Sequence, residues 1–186
     1  SQQVVSQAGK FTSASQVLVA KNGETAAAAT ITITTGSSAD IAAGKGTQQE
    51  ISVAAGSDGE ISLQDVASAI NGGDYGVKAS LISDKTGSVR LSLTGEDTGA
   101  ASAFKIDVAA TAGTADAALS NLNFDPSGTS GNYTVNSAAQ DSLMKLNGVE
   151  ITRATNTISD AVEGLTFTLK ATTTDSDGLS TATSLT

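Results

Sequence analysis

Apolar and polar residues alternate along most of this chain. In TITITT, residues 30–35, the isoleucines take one face and the threonines the other, as a half-buried strand requires. The same period recurs in GVKASLIS (76–83), SVRLSLT (88–94), AFKIDV (103–108) and LTFTLKA (165–171). DKTG, between Ser83 and Ser88, reads as a hairpin connection, because Asp and Gly tolerate turn conformations that bulky residues resist. Threonine-rich outer faces on such strands predict an antiparallel, mainly β architecture.

Two stretches break the alternation. In SLQDVASAINGG (62–73), Leu63, Val66 and Ile70 fall on one helical face. Ser62 and Asp65 have capping-box spacing, and Asn71-Gly72 ends the run. In LNGVEITRATNTISDAVEGLTF (146–167), Asn147-Gly148 is a two-residue hairpin signal, since both turn positions favour positive φ. Thr157 and Asp160 then resemble a second capping box, with Ile158, Ala161 and Val162 as a short apolar helical face that Gly164 stops. Asn147, Gly148, Asn156, Asp160 and Gly164 are therefore expected to shape structure. Gly95 is expected in a longer loop, where a side chain is easily accommodated.

Between residues 109 and 139 the pattern dissolves into alanine, glycine and asparagine around the only proline, Pro126. This reads as a connection between two β units, holding a turn and at most one strand. The resulting expectation is two small antiparallel β modules, one inserted in the other, with one or two short helices. Residues 1–27 and 112–174 form the outer module, and FTSASQVLVA (11–20) is the expected partner of the strand in 165–171. Residues 28–111 form the inserted module and carry the helix 62–71. Residues 175–186 form a loose tail, with a truncated strand at TSLT.

Composition narrows the function classes. Of 186 residues 39% are hydrophobic but only 3% aromatic, so each module has a thin core. The net charge of -9 repels phosphate backbones and anionic lipid surfaces, so neither nucleic acid nor membrane insertion is expected. No stretch approaches the roughly 20 apolar residues that span a bilayer. The opening SQQVVSQAGK has neither the basic nor the apolar region of a signal peptide, and its lack of Met suggests a processed or excised piece. The absence of cysteine excludes disulfides and thiolate metal sites. It suits a cytosolic chain and equally one exported unfolded.

Little catalytic chemistry remains. Without His or Cys the common triads and zinc sites are excluded. A carboxylate pair for glycoside hydrolysis is possible on composition, but aromatics to line its cleft are scarce. DSDG (175–178) is half of a calcium loop and lacks the terminal Glu, so it reads as a solvated turn. GEDTGAAS (95–102) carries no lysine and does not match a phosphate-binding loop. Lys145 and Arg153 read as surface charges rather than an anion site. Tyr75 beside Asp74 is the one aromatic–carboxylate pair suited to a glycan, and reads more simply as strand-edge packing. No catalytic, cofactor or metal residue is assigned, no cofactor is expected, and the chain is read as a non-enzyme.

Two longer stretches resemble a known family. Residues 62–108 place a capped helix ending in AIN, then GVKASLI, RLSLT and TGAAS, in the order seen in the head of the bacterial flagellar filament cap family, hook-associated protein 2. Residues 143–173 resemble that family's second signature, a hairpin with NGV, then ITR, NTISDAVEGLT and a strand. SQQVVSQAGKFTS (1–13) is similar to the passage from leg to head. The resemblance implies an excised head fragment whose tail leads to a missing leg region. It also implies a plate at the filament tip under which exported flagellin folds and assembles, and self-association into a ring by the full-length protein. Possible host-surface contacts and an extracellular location at the flagellum tip follow in the same way. The alternatives are an extracellular β binding module or adhesin, and a hook–filament junction component.

Overall fold

The computed structural model describes residues 1–7, 10–128 and 132–170. Among these are β1 (Gln3–Ser6), β2 (Val17–Ala20), β3 (Ala28–Gly36), α1 (Ser38–Ala42), β4 (Thr47–Ala54), β5 (Ile61–Ser62) and α2 (Leu63–Asn71). They are followed by β6 (Val77–Ser83), β7 (Val89–Gly95), β8 (Ala103–Ala112), β9 (Thr114–Ala115) and β10 (Tyr133–Ser137). Four strands close the series: β11 (Ser142–Leu146), β12 (Val149–Arg153), β13 (Thr157–Val162) and β14 (Leu165–Thr168). The strands form five small sheets, ordered β10-β1-β7-β6, β5-β2-β9, β4-β3-β8, β11-β12 and β13-β14, and every pairing is antiparallel. The chain is mainly β, as its alternation predicts.

The TITITT stretch lies at the centre of its sheet. In β3, Ile31 stands opposite Ile51 and Val108, while Ile33 stands opposite Gln49 and Ile106. Ile31 and Ile33 are fully buried and Thr30 and Thr32 are half-buried, so the period of two sets which face meets the core. Helix α2 buries Leu63, Val66, Ala67 and Ile70. Its N-terminus carries the expected capping box, with Ser62 N–H donating to Asp65 Oδ2 at 2.8 Å and Asp65 N–H to Ser62 Oγ at 3.3 Å. At the other end Asn71 clamps the helix to β6: its side chain donates to Ala79 O and accepts from Ala79 N–H. The DKTG connection is a tight turn in which Asp84 Oδ1 accepts from Thr86 N–H, Thr86 Oγ1 and Ser88 N–H.

Several expectations fail, each for an identifiable reason. Residues 109–139 are not a connection. Leu119 and Leu122, on a 3-10 turn (Ala117–Leu122) capped by Asp116, are buried, as are Phe124 and Tyr133. Phe124 exchanges both main-chain hydrogen bonds with Ile106 at 2.8 Å, and its ring lies 5.5 Å from those of Phe104 and Tyr133. Isolated anchors between small residues leave no periodic trace. The second capped helix is absent: residues 157–162 form β13, which turns at Gly164 (φ +79) into β14. The β-branched Thr157, Ile158 and Val162 favour this strand, and Ile158 faces Phe167 across the hairpin. Residues 11–20 do not partner the last strand, because β2 joins β5 and β9. Gly95 is not in a loop; it is buried at the end of β7, where its N–H donates to Gln2 O at 2.8 Å.

The core also runs across the expected module boundaries at residues 27/28 and 111/112. β1 pairs with both β7 and β10, and one hydrophobic cluster has Val4 as its first member and Tyr133 as its last. Two buried polar side chains, Gln2 just before β1 and Ser6 at its end, fasten this strand to the body. Phe104 N–H donates to Gln2 Oε1 and Leu91 N–H to Ser6 Oγ, both at 2.8 Å. After Tyr133, the only described residue that is buried is Ile158. The hairpins β11-β12 and β13-β14 thus stand apart from the main core. The tail 175–186, TSLT included, lies outside the described residues.

Candidate functional site

Two features of the surface stand out, a polar cleft and the two terminal hairpins. The cleft holds about 560 Å³ and is lined in part by Gln49 of β4, Asp74, Tyr75, Asp97 and, from the hairpin side, Thr155. Backbone geometry places its aromatic. A Cβ on Gly73 would lie 2.6 Å from the Tyr75 ring, so glycine at that position leaves room for the ring. Tyr75 is half-buried, with one side against the main core. Its ring therefore packs, as the simpler reading expects, and also faces the cleft beside Asp74. The lining offers hydroxyls, an amide and two carboxylates but no cation. It suits hydrogen bonding to a neutral polar group and repels anions.

The hairpins are fixed by turns and one ion pair. Asn147 (φ +50) and Gly148 (φ +86) both take the positive φ of a type I′ turn, and Leu146 stands opposite Val149. Arg153 Nε donates to both oxygens of Asp160 at 3.0 Å, tying β12 to β13. That hydrogen bonding holds the Asp160 carboxyl below its usual value and raises Arg153. Asp160 therefore receives a guanidinium instead of capping a helix, and Arg153 is already paired. Lys145 faces Glu150 in the hairpin register, so the two cations do not form an anion site. Asn156 O accepts from Leu169 N–H at 2.8 Å and closes the base of β13-β14. Leu143, Val149 and Leu165 are all more than half exposed.

Sequence reasoning missed the junction between hairpins and body. Ala100 N–H, at the start of the 3-10 turn Ala100–Ser102, donates to Asp141 Oδ1 at 2.6 Å. Ala154 lies so close to Gly99 that a Cβ there would come within 2.6 Å of the Ala154 Cβ. Contacts between residues 41 or more positions apart carry no local signal. DSDG (175–178) lies outside the described residues. Among the described residues no cluster of three or more carboxylates could hold a metal, and no helix is long and apolar enough to cross a membrane.

This arrangement of sheets is found in known proteins. A crystal structure of the D2-D3 domains of the flagellar cap protein FliD from Escherichia coli superposes with TM-score 0.70 and 30% identity, covering 94% of this chain and 77% of that one. The chain belongs to the flagellar hook-associated protein 2 family. The D2-D3 domains of FliD from Serratia marcescens match this family member with TM-score 0.69 and 29% identity, over 95% of this chain and 83% of theirs. The model of the flagellar hook-associated protein 2 C-terminus matches residues 139–183. Flagellar hook-associated protein 2 of Escherichia coli K12 is 38% identical over 99 residues, which is 53% of this chain and 20% of that protein. The chain thus spans only about a fifth of this curated relative's length. The family is one of structural flagellar proteins and not of enzymes.

Proposed function

We propose that this chain supplies head domains of a flagellar filament cap, extracellular at the filament tip, forming a plate beneath which exported flagellin folds and assembles. In the full-length protein these heads would be carried on a self-associated ring. The match over 94% of the chain to the D2-D3 domains of a flagellar cap protein supports this reading above all. The physical character of the surface agrees with it. Threonine- and serine-rich strand faces with sparse charge give extended polar contacts that rearrange without large desolvation costs. The test is an in-frame deletion of residues 1–170 from the full-length protein in its own bacterium. Unpolymerised flagellin should accumulate in the medium and filaments should be lost. Filaments of normal length and number would refute the role.

A second reading, contact with host glycans, has one specific observation behind it: Tyr75 and Asp74 line the same cleft with Gln49 and Asp97. An aromatic face with planar hydrogen-bonding groups is the chemistry a neutral saccharide needs. A glycan array probed with the chain and with its Tyr75→Ala variant tests it. Binding lost in the variant supports the reading, and no binding by either removes it.

A further inference from the structure

Residues 139–170 hold to the rest of the chain by very little. Among the described residues one hydrogen bond joins them to residues 1–138, the 2.6 Å contact from Ala100 N–H to Asp141 Oδ1. β11 pairs only with β12 and β13 only with β14, and the main hydrophobic cluster ends at Tyr133. Hairpins of this size have little cohesion of their own, so their placement depends on this junction.

The junction is nevertheless specifically shaped. Gly99 takes φ +94, and a Cβ there would meet Ala154 Cβ at 2.6 Å and Ala154 Cα at 2.9 Å. Only glycine permits that approach. Gly99 also stands at the N-cap of the 3-10 turn Ala100–Ser102 and has no side chain to cap it. Asp141 provides the missing acceptor from 41 residues away. Thr155, next to Ala154, is the cleft's lining residue from the hairpin side. The family model begins its match at residue 139, where the main core has already ended.

We propose that residues 139–170 are a hinged element latched to the body by Asp141 and Ala154 at the Gly99 turn. Release of the latch swings Thr155 away and opens the Tyr75 cleft. One exposed hydrogen bond and one methyl contact are weak enough for thermal opening, whereas the paired sheets of the body are not. The chain's lack of cysteine makes the test direct. Cysteines introduced at the exposed Lys45 and Glu163 are spin-labelled, and the distance distribution between them is measured by pulsed electron resonance. The unaltered latch should give one narrow distribution. Asp141→Ala and Gly99→Ala should each broaden it about twofold or more, while in Asp141→Ala far-UV circular dichroism and the melting midpoint of the body stay as they were. Asp141→Asn, which keeps an oxygen acceptor, should restore the narrow distribution. Distributions equally narrow in Asp141→Ala and Gly99→Ala would overturn the proposal. So would a loss of body stability in Asp141→Ala in step with the broadening, because hairpins and body would then be one cooperative unit.

Discussion

Single residues set the limits of this fold most visibly at two glycines. Gly113 takes φ +93, and a Cβ there would run into the Ala20 carbonyl oxygen; Gly148 takes φ +86 but faces open space. Both positions strain an L side chain by about 1–2 kcal/mol, and only Gly113 adds a backbone clash. Gly113→Ala should therefore lower the melting temperature of the body by about 4–8 °C, following a cost of roughly 2 kcal/mol. Gly148→Ala should leave that midpoint in place and speed amide exchange only in β11 and β12. Thermal melts with residue-resolved exchange check this, and equal global shifts would show the hairpin to be part of the body. Tyr133 gives a second residue-level test. Its hydroxyl donates to Leu122 O at 3.1 Å, its ring meets Phe124 edge-on, and burial pushes its phenol well above the usual value. Tyr133→Phe keeps the ring and orphans a buried carbonyl, so unfolding by urea should report a loss of about 1 kcal/mol.

Among the elements, α2 shows how far local rules reach. Its capping box, apolar face and glycine stop were all legible, because each is set within three or four residues. Ser62→Ala should cost about 1 kcal/mol in urea unfolding. The same logic misled at residues 157–162, where Thr157 and Asp160 have cap spacing too. There Asp160 answers to Arg153, a partner seven residues away on another strand, and the β-branched residues follow the hairpin. The 117–124 segment was illegible for a different reason. Leu119, Leu122 and Phe124 reach the core from a 3-10 turn and an isolated bridge, neither of which has a long period. In the cleft, the Tyr75–Asp74 pair was visible as neighbours, while Gln49 and Asp97 joined it only through the sheets. The turn after that segment also carries a pH prediction. Asp125 lies below its usual 3.8, first through the Ser127 hydroxyl and less through Lys105. A carboxylate lowered by folding contributes stability above its unfolded value and loses it as pH falls through the folded one. Asp125→Asn should therefore melt below the parent at pH 7, and the gap should close as pH drops below about 3.8.

At the scale of the whole molecule, a continuous β core carries two terminal hairpins that pair only with themselves. The core puts polar strand faces outward, and its sheets match the D2-D3 domains of flagellar cap proteins. The proposed cap role puts this surface at the growing end of a flagellar filament. Immunogold electron microscopy of intact bacteria, with antibodies raised against residues 10–128 and a strain deleted for the protein as control, tests it most directly. The account predicts gold confined to the distal tips of filaments and absent from the control. Labelling along the filament, at the hook or over the cell body would contradict it.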